Sequence, residues 1–134
     1  DIGVFDNPVA DVDEAVAYPA LRDLTASSEA RSRAYLHVNC AMCHQPGGGG
    51  QSAMDVRFST SFANANLCNQ QPQEGDLGVT GARLLVPGDP SRSLVSLRMR
   101  RTGTGAMPPI GRNVVDSAGA SVVDSWIDSL TRCP

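Results

Sequence analysis

Residues 40–50 read Cys40-Ala41-Met42-Cys43-His44-Gln45-Pro46, followed by four glycines, Gly47 to Gly50. Two thiols and an imidazole this close together suit three chemistries: half of a zinc site, a thiol redox pair, or attachment of a c-type haem. The C-x-x-C-H spacing is that of the third. Residues three apart on a helical turn share a face, so two such thiols can reach the two vinyl groups at a haem edge. The residue after them then projects beneath the iron, where an imidazole can bind.

The 134 residues suit one domain with one modest core. Apolar residues make up an ordinary 41%, but aromatics only 4%, which is thin for a core of this size. A haem would supply the missing large apolar body. No run of about 18 apolar residues occurs, so no membrane span is expected. The sequence opens without an initiator methionine or a signal peptide, as a mature chain or a piece of a longer one would.

The formal charge of −3 is unevenly spread. Residues 1–29 carry seven acids (Asp1, Asp6, Asp11, Asp13, Glu14, Asp23, Glu29) against Arg22, while the remainder carries seven acids against ten arginines. An acidic leader thus precedes a mildly basic body. No basic stripe with interleaved aromatics is present, so nucleic acid is not an expected partner. Residues 1–25, interrupted by Pro8 and Pro19, read as an acidic arm or linker, and 26–134 as the folded domain.

Ser27 or Ser28 offers an N-cap, with Glu29 in the first turn, for a helix running through His44 to the Gln45-Pro46-Gly47 break. Ala34, Val38 and Met42 recur along it as an apolar stripe, with Tyr35 beside them. The glycine run lacks the preceding strand and the following Gly-Lys-Ser of a phosphate cradle. Residues 51–82 show no sustained periodicity and read as a long loop, which wrapping a cofactor edge would explain. Asp89 as cap and Pro90 as first residue begin a second helix, with Arg98, Arg100 and Arg101 crowding its last turn. Asp116 or Ser117 starts a third, with Val122, Val123, Trp126, Ile127 and Leu130 on one face.

A haem iron held by one histidine needs a sixth ligand or keeps an open site. Met42 lies within the attachment motif, Met54 follows the glycine loop too closely, and Met99 on a helix reads as core. Met107 sits in Gly103-Thr104-Gly105-Ala106-Met107-Pro108-Pro109-Ile110-Gly111. The glycines before it permit close backbone approach. Pro108 and Pro109 stiffen the chain behind it. Without the haem motif, Met107 would be an ordinary packed loop methionine. His37 lies seven residues before His44, ~10.5 Å along the same expected helix, too far to reach an opposite haem face. It reads as a partly buried or surface histidine.

The order of helix, Cys40-Ala41-Met42-Cys43-His44, long loop, capped helix, Met107-Pro108-Pro109 with Gly111, and a last helix carrying Trp126, Ile127 and Leu130 resembles a class I, monohaem c-type cytochrome over roughly residues 26–131. The stretches PGDPSRSLVSLRM and GAMPPIG are also similar, more weakly, to haem domains fused to larger secreted oxidoreductases such as quinoprotein sugar dehydrogenases. The resemblance implies an all-α fold, three to five helices wrapped around one haem c, with the first and last helices crossing near Tyr35 and Trp126. It implies thioethers at Cys40 and Cys43 and axial ligands at His44 and Met107.

Such attachment takes place outside the bacterial cytoplasm, where disulfides persist, so a periplasmic or secreted location is expected. With Cys40 and Cys43 used, the remaining pairing is Cys68 with Cys133, against the alternative of two free buried thiols. Zinc held by Cys40, Cys43, Cys68 and Cys133 or His44 is the weaker reading, because structural zinc sites usually repeat a close pair. With both axial positions filled the expected function is one-electron transfer rather than catalysis, by a monomer serving a redox partner protein or a fused catalytic domain. The alternative is a haem enzyme or gas sensor with an open or displaceable distal site. Ala41, Pro46 and Ile110 are expected around an exposed haem edge. Arg57, Arg83 and Arg112 are candidate partners for the haem propionates. Arg98, Arg100 and Arg101 could serve the same end, dock an acidic partner, or form a solvated helix end.

Overall fold

A computed structural model of the chain describes residues 17–134, so most of the expected acidic arm lies outside the described residues. Three α-helices carry the fold: α1 (Ser28–Cys40), α2 (Leu94–Met99) and α3 (Ser117–Ser129). Single 3₁₀ turns at Phe62–Asn64 and Pro90–Arg92 supplement them. Among the described residues there is no strand, only two isolated bridges, Cys68 with Leu85 and Arg83 with Ser93. The class is all-α, and none of these helices is long and apolar enough to cross a membrane.

The helix starts follow from their caps. Ser27 Oγ accepts from Ala30 N–H at 3.1 Å, and Asp116 Oδ1 accepts from Gly119 N–H at 2.9 Å. Asp89 caps the Pro90 turn through Arg92 N–H at 3.2 Å. The single helix expected after Asp89 is divided, a 3₁₀ turn followed by the six-residue α2. Ser93 sits at the junction in extended conformation, with its fully buried hydroxyl donating to Asp89 O at 2.7 Å.

α1 packs directly on α3. The face it buries is not the expected stripe: Ala34 is buried, but Val38 and Met42 are 66% and 76% exposed. The inward positions are Ser32 and Leu36, with Tyr35 and Cys40 beside them. Ser32 suits close contact because it is small and its hydroxyl donates to Val122 O on α3 at 2.9 Å. Opposite Tyr35 stands Gly119, where a Cβ would overlap the tyrosine ring. Two small residues thus set the helix separation. Trp126, Val123 and Ile127 fill the core below, and Phe62 meets Trp126 edge-on at 4.9 Å between ring centroids.

The long connection 51–82 is stitched to the body. Asn69 N–H donates to Leu85 O and Leu84 N–H to Gln70 O, at 2.8 and 2.9 Å, while Leu94 and Val95 N–H donate to Arg83 and Leu84 O. These bonds satisfy backbone groups that a buried irregular segment would otherwise leave orphaned. Cys68 and Cys133 form a disulfide that fastens this connection to the end of the chain, with Cα atoms 5.7 Å apart. At the start, Tyr18 packs against His37 and Phe58, with ring centroids 5.0 and 4.8 Å away. His37 is therefore half-buried on the surface of α1.

Candidate functional site

Cys40 ends α1, and the next residues keep turning. Cys43 and His44 N–H both donate to Cys40 O, at 3.1 and 2.9 Å. This turn keeps Cys40, Cys43 and His44 on one short stretch of backbone, although their three side chains do not converge on a common point that could hold a metal ion. The two thiols are free. Cys43 is exposed, whereas burial, aided by the neighbouring Cys43, pushes the Cys40 thiol up to about 11. A reactive redox pair needs the opposite shift, a thiol whose pKa is depressed.

The glycine run explains how the chain passes behind this turn. Gly50 N–H donates to Cys43 O at 2.9 Å. A Cβ on Gly50 would lie 2.7 Å from Nδ1 of His44, and one on Gly48 would collide with the Cys43 carbonyl. Only glycine allows so close a wrap. Ser52 then brings its hydroxyl to 3.2 Å from His44 Nδ1, and Val56 N–H binds His44 O at 3.0 Å. The imidazole is gripped from its Nδ1 side, which leaves Nε2 as the nitrogen open to a metal. Burial lowers the pKa of His44 below the ordinary histidine value, so the ring keeps a lone pair at neutral pH. Ser52 had no signal in sequence, because its role depends on how tightly the glycines fold back.

Met107 lies on a separate segment between α2 and α3 and is half-buried. Its N–H donates to Arg98 O at 3.1 Å, and the Met107–Pro108 bond is cis. Residues 103–106 and 108–113 line an open cavity of about 560 Å³, within the ~300–1,000 Å³ range of ligand sites. Cys40, Cys43 and His44 do not line it. Tyr35, little more than a turn before Cys40, lies against Gly119 at the start of α3, and burial, with the Asp116 carboxylate nearby, pushes its phenol well above the usual tyrosine range.

The arginines separate by what they touch. Arg57 clasps the buried carboxylate of Asp55, with Nε to Oδ1 at 2.9 Å and Nη2 to Oδ2 at 2.6 Å. The Arg83 guanidinium donates to the neighbouring Ala82 carbonyl at 2.9 Å and is paired with no carboxylate among the described residues. Arg112 binds the carbonyls of Met99, Arg98 and Arg101 and so caps the end of α2. Arg100 pairs with Asp124 of α3 at 2.5 Å. Pro46 beside the 40–44 turn and Ile110 on the Met107 loop are exposed, but Ala41 is buried in the core at 4% exposure because the helical turn of α1 continues through it.

By residue type the donors are those a c-type haem takes, two unpaired thiols and a histidine in the 40–44 turn and a methionine on the 103–113 loop, while neither Met107 nor the 40–44 turn lines the cavity beside that loop. The set does not fit the zinc arrangement. Cys68 and Cys133 are consumed by the disulfide, and among the described residues no three side chains of His, Cys, Asp and Glu converge as a metal-holding group. No family model matches this chain, and comparison with curated proteins and with solved structures finds no match.

Proposed function

We propose that this chain is a one-electron carrier of the c-type cytochrome kind, relaying electrons between a periplasmic or secreted redox enzyme, or a fused catalytic domain, and an acceptor. The observation that supports the reading is the 40–44 turn, where two free thiols and an imidazole approached on its Nδ1 side by Gly50 and Ser52 share one backbone turn. A haem c bound there would supply a reversible ferric/ferrous couple.

The chain's own groups would do the rest. Cys40 and Cys43 would hold the macrocycle, His44 Nε2 and the Met107 thioether would bind the iron, and Pro108 and Pro109 would stiffen the loop behind Met107. Thioether ligation favours the reduced state relative to a stronger donor, and a low-dielectric surround acts in the same direction. With His44 and Met107 both bound to the iron, substrate would be kept from the metal. Arg83 is the stronger propionate candidate, since the charge of Arg57 is already matched by Asp55. Met42, Pro46 and Ile110, all exposed, border the electron port in this account. The disulfide supports an oxidising location.

A potentiometric titration of haem-loaded protein under carbon monoxide and under argon tests the reading. A single reversible one-electron wave, the same under both gases, supports electron transfer. Carbon monoxide binding to the ferrous wild type would instead favour an enzyme or gas sensor with an open distal site.

A further inference from the structure

Arg98 lies in α2, and its guanidinium spans two loops. Nη1 donates to the carbonyl of Gly105 at 3.1 Å, and Nη2 to the carbonyls of Glu74 and Gly75 at 2.6 and 2.9 Å. Its own carbonyl accepts from Met107 N–H at 3.1 Å. One residue therefore grips the Met107 loop twice, just before the methionine and at the methionine itself. It ties that loop to the 74–77 segment, where Leu77 closes the junction: a Cβ on Gly105 would stand 2.8 Å from Leu77 Cδ2.

We propose that Arg98 is a positioning residue for Met107, holding the loop so that the thioether remains on the iron. The proposal rests on the electron-transfer reading and deepens it. A thioether is a weak, uncharged ligand, so its occupancy depends on how much conformational freedom the loop gains by letting go. A guanidinium is a planar fork that can bind carbonyls of two segments at once, through charge-assisted bonds stronger than neutral ones. The ammonium of lysine is a point donor and cannot hold both loops in that way.

The test compares haem-loaded wild type with Arg98→Gln, Arg98→Lys and the exposed control Arg132→Gln. Three quantities are followed: the far-red sulfur-to-iron band, carbon monoxide access, and hydrogen exchange of the Met107 amide. In Arg98→Gln the attached haem should be retained, the band should weaken, carbon monoxide should bind, and exchange should accelerate by about tenfold or more. Arg98→Lys should fall between, and Arg132→Gln should match wild type. Arg98→Gln protein indistinguishable from wild type in band, ligand access and exchange overturns the proposal. If Arg98→Gln does not fold, Arg98→Lys decides, a wild-type band refuting the role and a weakened one supporting it. A wild type that takes up no haem overturns the electron-transfer reading instead. Exchange at Met107 in the same variants then still decides whether Arg98 clamps the loop.

Discussion

The Ser52 hydroxyl stands 3.2 Å from Nδ1 of His44, so the imidazole's orientation depends on a side chain that can be removed without altering the backbone. When Nδ1–H donates to this oxygen, the ring becomes a stronger electron donor through Nε2 and favours the ferric state. Ser52→Ala is expected to raise the midpoint potential by about 20–50 mV, the electrical equivalent of part of one hydrogen bond. Spectroelectrochemistry on the two proteins checks this, and an unchanged or lowered potential would deny Ser52 the role.

Gly50 and Gly49 are neighbours with opposite surroundings. A Cβ on Gly50 would meet His44 Nδ1 at 2.7 Å and Cys43 O at 2.8 Å, whereas one on Gly49 would meet nothing within 4 Å. Gly50→Ala is expected to cost ~1–3 kcal/mol in denaturant unfolding and to lower haem content, with Gly49→Ala within ~0.5 kcal/mol of wild type. Equal effects at the two positions would show that the wrap around His44 is not tight.

Asp55 sets an acid limit. Its carboxylate, almost fully buried, accepts from Arg57 and Thr60, and the Arg57 hydrogen bond holds its pKa well below the usual carboxylate range. The folded state therefore binds fewer protons at this group than the unfolded state does. The stabilisation is complete above the unfolded value of about 4 and is lost as pH falls through the folded one. Stability of the wild type should decline below about pH 4, and Asp55→Asn should be less stable at neutral pH with a flatter acid limb. Denaturant midpoints across that range test it; parallel curves would remove Asp55 from the account.

The Cys68–Cys133 disulfide closes a loop of 65 residues. In the chain-entropy model such a closure is worth roughly 4 kcal/mol. The double substitution Cys68→Ser with Cys133→Ser is expected to lower unfolding free energy by about that much while leaving any attached haem in place. Loss of haem attachment in the double variant would show that these cysteines serve the site rather than the scaffold.

Much of this arrangement is written locally in the sequence. The caps at Ser27, Asp89 and Asp116 each act on the amide three residues on, and the apolar face of α3 has a regular period, so both are readable from spacing. The Cys40–His44 turn is readable for the same reason. The buried face of α1 is not, because its deepest residue, Ser32, is polar and is buried through a bond to Val122 on another helix. Val38 and Met42 mimic a core stripe that faces outward. Arg98 and Arg112 look like a helix end and a propionate partner until their carbonyl acceptors are located, and these lie up to two loops away. Gly50 and Ser52 belong to the same class, since neither role exists before the chain folds back on His44.

The most direct measurement is an absorption spectrum of the purified protein, oxidised and dithionite-reduced, from cells competent in cytochrome c maturation, with a pyridine haemochrome on acid-acetone-extracted material. The account predicts a low-spin c-type spectrum that survives extraction, with a far-red sulfur-to-iron band that Met107→Ala abolishes. A colourless protein from such cells would contradict it.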